Sequence, residues 1–335
     1  MKIITLTVIL ICLCTCHSKI FAQGFPSSGY NSDPVCLNPS LTGDFDGAWR
    51  ASLNYTELKT QGIPFKNYTI SFDQPFFIKS NKFGVGISAM HDEISENIFT
   101  KEKVFLSGSY FSRFRNNFIS VGVQAGYVQS NINLNNEIWP DQYNRLLGGY
   151  ESYVSNGENI RNSISFTDLN LGLSWKKILP RHVSQFGLVL LHLNTPVVSY
   201  LSDKDTKLKA VLVFHGTDNW IISQKVYLTP SVLYKTNAGE NYLNYGASCS
   251  YKFPGNILEK SVFAGINMKN GYGQVYALSF FGGIRYNQWQ FGANYDFNLM
   301  GSKTNISVHG PLEIYIRYIS LSSRIQKFSI PCPRF

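Results

Sequence analysis

Histidines are the residues most suited to chemistry in this chain, because histidine serves both acid–base catalysis and metal binding. Beyond residue 22 they are His91, His182, His192, His215 and His309. None has a second histidine, a cysteine or a carboxylate at metal-ligand spacing, so the sequence predicts no zinc or iron site. His192 and His215 lie near predicted strand ends. They remain candidates for the catalytic histidine of a hydrolase whose active site lies at the rim of a β-barrel. A structural, hydrogen-bonded histidine is far commoner, so we expect no enzyme and no cofactor.

Charged side chains on the polar faces of predicted strands are a second candidate set. Both signs occur among them, and unpaired charges away from bulk water are unfavourable. We therefore expect ion pairs that brace a partly filled interior; a substrate channel is the alternative. The residues are Arg50, Asp73, Asp168, Arg285, Asp296, Glu313 and Arg317.

Two glycine-rich triplets do not predict phosphate binding. Gly84-Val85-Gly86 and Gly271-Tyr272-Gly273 do not open a helix after a strand, which a phosphate site needs. Glycines on an inward face would instead leave room in a crowded lumen or permit a strand to bend.

The elements that carry these residues are strands with a regular two-residue period. From Gln290 to Leu299 every second side chain is apolar, and those between are polar or small. The pattern predicts fourteen strands: 48–56, 67–78, 82–91, 102–113, 117–131, 164–176, 184–193, 207–215, 222–235, 242–253, 261–269, 273–286, 289–300 and 310–320.

Composition favours a barrel with lipid outside and water inside. Charged residues are 15% of the 335 residues, well below the roughly 25% of soluble domains, and aromatic residues also reach 15%. Many apolar rows end in Tyr or Trp, as an aromatic girdle requires. We predict an all-β chain that forms a single transmembrane antiparallel up-and-down barrel with periplasmic termini. A soluble all-β protein is the alternative.

The connections alternate between short and long, as in outer-membrane barrels. Predicted inward turns such as 80–81 and 114–117 are brief, whereas outward loops at 57–66, 92–101 and 132–163 are longer. The very short connection near Asn270-Gly271 is an exception. Loop 132–163 is long enough to be functional, and it either enters the lumen or projects toward a partner.

The first residues resemble an export signal. Lys2 precedes the apolar stretch Ile3–Leu13, and cleavage after Ala22 would begin the mature chain at Gln23. We therefore expect a signal peptide at 1–22 and the barrel, with short periplasmic segments at both ends, at 23–335. A lipoprotein signal with Cys16 lipidated is the alternative.

Three cysteines remain after residue 22. Cys249 lies on an apolar face and is expected to be a small buried hydrophobic residue. Cys36 precedes the first strand and Cys332 follows the last, so both would lie at the same end of an even-stranded barrel. A Cys36–Cys332 disulfide is therefore a hypothesis, which an exported compartment permits.

The formal net charge of +9 does not indicate nucleic acid as a partner. Lys and Arg are scattered among turns and strand ends rather than grouped in a run. Lipid headgroups or an acidic partner fit better.

Six segments in chain order give this sequence a resemblance to the PorP/SprF family, outer-membrane proteins of the type IX secretion and gliding-motility system of Bacteroidota. They are Asn38–Gly43, Phe166–Leu173, His192–Pro196, Leu228–Leu233, Gly292–Asp296 and Pro331–Phe335. The positions that match family motifs are Asn38, Pro39, Gly43, Asp168, Gly172, His192, Pro196, Pro230, Ser231, Tyr295, Asp296, Glu313, Cys332, Pro333 and Phe335.

The resemblance implies an accessory that assists secretion or surface attachment of cargo proteins, or adhesins, without catalysis. The partners it implies are type IX components and a secreted cargo. The family has a Gly-Ser-His-Glu stretch where this chain has Gly310-Pro311-Leu312-Glu313, so no role of that histidine carries over. A small-solute channel of the outer membrane, like a porin, is the alternative function.

Overall fold

The computed structural model describes twelve stretches of the chain. They are 32–59, 64–79, 81–95, 97–133, 143–144, 148–150, 161–201, 206–237, 240–254, 259–271, 274–299 and 310–321. Within them, fourteen strands form a closed antiparallel barrel in which the first strand, Arg50–Leu58, pairs with the last, Leu312–Ile319, to complete the ring. The predicted fold and strand number are confirmed.

The elements follow one another as hairpins, preceded by one short helix. They are α1 Pro34–Leu37, a 3-10 turn Pro39–Leu41, β1 Arg50–Leu58, β2 Phe65–Ile78, β3 Asn81–Ile94, β4 Phe99–Phe114, β5 Asn117–Ile132, β6 Tyr143–Asn144, β7 Gly149–Tyr150, β8 Ser163–Leu179, β9 His182–Leu191, β10 Val211–Ile221, β11 Val226–Asn237, β12 Glu240–Lys252, β13 Lys260–Gly271, β14 Gln274–Tyr286, β15 Trp289–Asn298 and β16 Leu312–Ile319. β6 and β7 form a separate two-stranded ribbon, so 132–163 is not wholly irregular.

The alternating sequence places apolar side chains outside the barrel. On β8, Leu171 is 41% exposed while Asn170 is 6% exposed, and the same contrast recurs on the other strands. Aromatic rings form rows on the outer face, such as Phe76, Phe83 and Tyr110, whose successive centroids lie 5.5 and 5.2 Å apart. An exterior of this kind is matched to hydrocarbon bounded by aromatic interfaces.

Several strand bounds were predicted wrongly. β10 was expected to end at residue 215, but Gly216 to Ile221 continue it and pair with β9 and β11. Gly216-Thr217-Asp218-Asn219 has turn-like composition, yet pairing on both edges satisfies its backbone. β3 and β4 also extend farther than predicted, so the connection between them shrinks to residues 95–98.

No helix within the described stretches has the length and apolar character needed to cross a bilayer. The predicted signal peptide, residues 1–22, lies outside the described residues and stays a prediction. The same holds for the location of the termini relative to the membrane.

Candidate functional site: a plug inside the barrel

Residues 33–44, called the plug below, lie inside the barrel. Asp33 caps α1 by accepting a hydrogen bond from the Val35 amide at 3.1 Å, and Pro34 occupies the first helical turn. Asn38 does the same for the 3-10 turn, accepting from the Ser40 amide at 2.9 Å. Two caps and two prolines in eight residues therefore fix the local shape before the segment contacts any strand.

Asn38 is fully buried, and its side chain makes four hydrogen-bond contacts within the plug and with the wall. Its Oδ1 accepts from the amide and the hydroxyl of Ser40, so its Nδ2 faces the barrel wall. Nδ2 donates to the Leu173 carbonyl at 3.3 Å and lies 2.9 Å from Nε2 of His215. Nε2 of His215 must then accept, so this histidine anchors the plug and is not free to act as a base.

Serines on the wall bind the backbone of the plug. Ser109 donates to the Thr42 carbonyl at 2.6 Å, and Ser120 donates to the Ser40 carbonyl at 2.8 Å. Buried carbonyls need such partners because a buried unpaired carbonyl is unfavourable. The inward serines of β4 and β5 thus replace the water that an isolated segment would bind.

Glycines on the wall make space for the plug. A Cβ atom on Gly122 would lie 2.3 Å from the Pro39 carbonyl carbon, and one on Gly172 would lie 2.0 Å from Oδ1 of Asn38. A Cβ on Gly84 would lie 2.1 Å from the Thr42 carbonyl oxygen. The prediction that inward glycines leave room in a crowded lumen is confirmed, and Gly84 belongs to the triplet for which it was made.

A buried ion pair holds the end of the plug. Nε of Arg50 lies 2.9 Å from Oδ1 of Asp73, and Nη2 lies 2.6 Å from Oδ2. Oδ2 of Asp73 also accepts from the Gly43 amide at 2.6 Å, while Arg50 reaches the Leu41 carbonyl at 3.2 Å. Gly43 adopts a φ of +74°, which favours glycine over other residues. One charge pair therefore joins β1, β2 and the plug.

Aromatic rings also project into the lumen from β13, β14 and β16. The rings of Phe263 and Phe281 lie over the glycines opposite them in the register, Gly283 and Gly265, and Tyr315 lies over Gly292. A ring can lie flat on the neighbouring strand because glycine has no side chain. Between the plug and the wall, a cavity of about 100 Å³ remains, lined in part by Leu37, Asp44 and His215.

Two further pairs brace the wall, one of them buried and the other partly buried. Nζ of Lys269 and the hydroxyl of Ser279 both donate to Asp296, and the side chains of Lys269 and Asp296 are almost fully buried. Nδ1 of His192 lies 2.9 Å from both carboxylate oxygens of Asp168. The predicted ion-paired interior is confirmed for Arg50, Asp73 and Asp296, whereas the partner of Asp168 is a histidine. Arg285 is instead exposed at the rim, with Nη2 3.3 Å from Oε1 of Gln290.

The chain leaves β9 through a turn tied back to β8. His192 and Thr195 have positive φ angles of 56° and 41°, and the His192 amide donates to Oδ1 of Asn170 at 3.0 Å. Oδ1 of Asn194 accepts a hydrogen bond from the Leu169 amide at 3.1 Å, and its Nδ2 donates one to the Thr167 carbonyl at 2.7 Å. The pairing of His192 with Asp168 therefore belongs to a strand-end lock.

Replacing Asn194 with Ala tests this lock. We expect the free energy of unfolding in urea to fall by about 1 kcal/mol, because two exposed hydrogen bonds are lost. Asn219→Ala, an exposed asparagine on β10, is the control and should change stability by less than about 0.5 kcal/mol. Equal effects of the two substitutions would argue against the lock.

The sequence matches the family described as type IX secretion system membrane protein PorP/SprF over residues 21–318. The chain belongs to the PorP/SprF family. This is a family of secretion-system membrane barrels and not of enzymes, in agreement with the prediction from the sequence. No curated protein sequence matches the chain closely enough to be reported beside it.

Solved barrels resemble this PorP/SprF protein in fold. The Ralstonia pickettii toluene transporter TbuX is 11% identical, with 86% of this chain and 93% of that chain covered and a TM-score of 0.50. The CymD monoaromatic hydrocarbon channel is 11% identical, with 87% of this chain and 93% of that chain covered and a TM-score of 0.54. The Pseudomonas putida toluene transporter TodX is 9% identical, with 90% of this chain and 95% of that chain covered and a TM-score of 0.51. At such identities the likeness concerns the fold.

The family and the fold together place the protein in the outer membrane as a multi-strand barrel, as predicted. Association with type IX secretion components follows from the family. Within the described residues, no group of three or more His, Cys, Asp or Glu side chains is arranged to hold a metal ion.

The motif residues that the structure describes fall into three places. Asn38, Pro39 and Gly43 belong to the plug, and Gly172 is part of the wall beneath it. Asp168 and His192 form the strand-end lock, which the buried Pro196 follows. The remaining positions lie on β11, β15 and β16: Pro230 pairs with Ala247, Ser231 with Gly246 and Glu313 with Thr56, while Tyr295 faces outward near Asp296.

The cysteine predictions have different outcomes. Cys249 is exposed on the outer face, so its predicted burial was wrong: the apolar face of β12 is the lipid side. Cys36 lies in the plug with Sγ 3.3 Å from Oδ2 of Asp33. Cys332, Pro333 and Phe335 lie outside the described residues, and the Cys36–Cys332 disulfide stays a prediction.

Sequence reasoning missed the plug itself and its partners on the wall. The missed residues include Ser109, Ser120, Gly122, Gly187 and Lys269. A usable signal was present, because Ser107 and Ser109 of β4 and Ser120 and Gly122 of β5 are consecutive small residues at inward positions. Such small side chains leave space that something else in the chain must fill.

Proposed function

We propose that this PorP/SprF barrel is a non-catalytic accessory of type IX secretion that assists the secretion or surface attachment of a cargo protein. The observation that carries the proposal is the plug: the chain's own residues occupy the lumen and are held there by buried polar contacts. A partner would therefore bind the rims of the barrel. A role in gliding motility belongs to the same proposal.

The wall formed by β4, β5 and β8 supports a cargo-binding rim. These strands have 16, 16 and 17 residues, whereas a tilted membrane strand needs about 9–11. Beyond the exposed Tyr127, the outward side chains are polar in two successive paired rows, Glu102–Gln129–Ser165 and Thr100–Asn131–Ser163. At about 3.3 Å per residue this wall extends roughly 13 Å farther along the strands.

The porin-like alternative is not favoured by a plugged lumen. The hydrocarbon transport of the structural neighbours is a property of those proteins, and their likeness to this chain concerns the fold alone. Reconstituted in planar bilayers, the protein is expected to show no large steady conductance. Large stable pores would argue for the channel.

A pull-down from native outer membranes tests the proposal. The tagged protein should recover type IX components and an exported cargo, and deletion of its gene should reduce display of that cargo at the surface. The paired substitutions Gln129→Arg and Ser165→Arg on the protruding wall should weaken cargo recovery. Asn116→Arg, in an exposed turn at the opposite end, is the control. Recovery of neither component nor cargo would overturn the proposal.

A further inference from the structure

The two rims of the barrel differ in charge. The short-turn rim is defined here as the hairpin turns β2–β3, β4–β5, β8–β9, β10–β11, β12–β13 and β14–β15, with three strand positions on each side. Its cations in the described stretches are Lys79, Lys82, Arg113, Arg115, Lys177, Arg181, Lys225, Lys252, Lys260 and Arg285. Over the same described positions, Glu259 is the single carboxylate.

The opposite rim has no such excess. Counted over its described loop residues and the same three strand positions on each side, it carries eight cations and six carboxylates. The cations are Lys59, Lys66, Lys101, Arg161, Lys207, Lys209, Lys235 and Lys269, and the carboxylates are Glu57, Asp92, Glu93, Glu240, Asp296 and Glu313. Several of these charges neutralise one another, as in Lys66–Glu93 at 3.3 Å. On the short-turn rim, Lys252 pairs with Glu259 at 2.8 Å, and the other nine cations have no carboxylate within 4.0 Å in the described part of the chain. Lys82 also lies within electrostatic range of Asp44 and Asp46, and Arg285 within range of Glu259, so the uncompensated positive charge rests on the remaining seven cations.

Some rim cations lie beside outward-facing aromatic rings. Lys260 lies 5.2 Å from the ring centroid of Tyr286, and Arg115 lies 5.5 Å from that of Phe114. Both rings face outward, at 46% and 67% exposure, as rings of an interfacial girdle do. Lys177 lies on the same outward face as the exposed Trp175, two residues earlier. Long cationic side chains beside such rings direct their charge to the membrane surface.

We propose that the short-turn rim binds the phosphate groups of anionic phospholipids in the leaflet that surrounds it. The cations in the turns or at outward strand positions are Lys79, Arg115, Lys177, Arg181, Lys225 and Lys260. They are spread over five of the six turns, which fits headgroups that encircle the barrel better than one acidic protein, since that would need a single patch. The uncompensated charge supplies the attraction, because basic side chains near an anionic surface bind it electrostatically. Lipid at this rim would fix the depth and tilt of the barrel.

Native mass spectrometry of the detergent-purified full-length mature protein, given equal amounts of phosphatidylglycerol and phosphatidylcholine, tests the proposal. We expect a several-fold preference for phosphatidylglycerol, and we expect it to fall sharply near 1 M salt, where the screening length is about 3 Å. The variant Lys177→Gln/Arg181→Gln/Lys225→Gln/Lys260→Gln should lose most of the preference. The matched control Lys59→Gln/Lys66→Gln/Lys207→Gln/Lys209→Gln removes four charges from the opposite rim and should keep it.

Several outcomes would overturn the proposal. Equal binding of the two lipids by the wild type would do so, and this measurement needs no variant to fold. The proposal would also be contradicted if the short-turn variant kept its preference for phosphatidylglycerol, or if the control variant lost that preference. So would selective binding of lipid A phosphates without phosphatidylglycerol, or displacement of the lipid by an acidic membrane protein. None of these measurements depends on cargo recovery, so they test lipid binding independently of the proposed accessory function.

Discussion

Replacing Asp73 with Ala should lower the free energy of unfolding by about 3–5 kcal/mol, because it leaves the buried Arg50 without its partner. Arg50 is 4% exposed and Asp73 is 1% exposed, so water cannot replace the lost carboxylate. The Gly43 amide would lose its acceptor as well. With total stability usually near 5–15 kcal/mol, one substitution removes a large share. Urea unfolding in detergent micelles measures this loss of stability.

The double variant Arg50→Met/Asp73→Leu separates charge from packing. It removes both charges, so we expect it to be more stable than Asp73→Ala alone. An exposed ion pair provides the control: Glu259→Ala breaks the pair with Lys252, whose side chains are 69% and 44% exposed, and should lower stability by less than about 1 kcal/mol. If Asp73→Ala behaves like Glu259→Ala, the pair does not anchor the plug.

The barrel was predictable because its signal is local. On β8 and β15 each side chain's type follows from the face it occupies, and the two-residue period leaves little ambiguity. β10 was misread because Gly216 and Asp218 are common turn residues. Pairing with β9 and β11, which overrides that preference, is a long-range property.

The plug was not predictable by the same reasoning. Its prolines and caps show that residues 33–44 turn sharply, but they do not show where the segment lies. Its position depends on contacts far apart in sequence, such as Asn38 with His215 and Thr42 with Ser109. Charges at inward positions indicated pairing, yet the partner of Asp296 proved to be Lys269, which no sequence argument identified.

The rim cations illustrate a similar limit. Sequence showed basic residues scattered among turns and strand ends, and that scatter argued against nucleic acid. Closure of the barrel brings Lys177, Lys225 and Lys260 to one rim while mixed charges collect at the other. A property that is diffuse along the chain thus becomes concentrated in space.

Replacing Gly122 with Val should drive the plug off the wall. The added Cβ would lie 2.3 Å from both the Pro39 carbonyl carbon and the Ser40 amide nitrogen, and backbone cannot move aside as a flexible side chain can. Overpacking costs about 1–3 kcal/mol, and we expect the upper part of that range in urea unfolding. Gly108→Val, on neighbouring β4, is the matched control, because nothing lies within 4 Å of the position its Cβ would take.

Cys36 reports directly on whether the plug has moved. Burial, together with the nearby Asp33 carboxylate, raises the pKa of the Cys36 thiol well above its usual value. A raised pKa means less thiolate at neutral pH, so a maleimide should label the folded protein slowly. In a Cys249→Ser/Cys332→Ser background, Gly122→Val should speed labelling toward the rate of the urea-unfolded chain, while Gly108→Val should leave it slow. If Gly122→Val also labels at the slow rate, the plug remains seated and the wall does not depend on a glycine at that position.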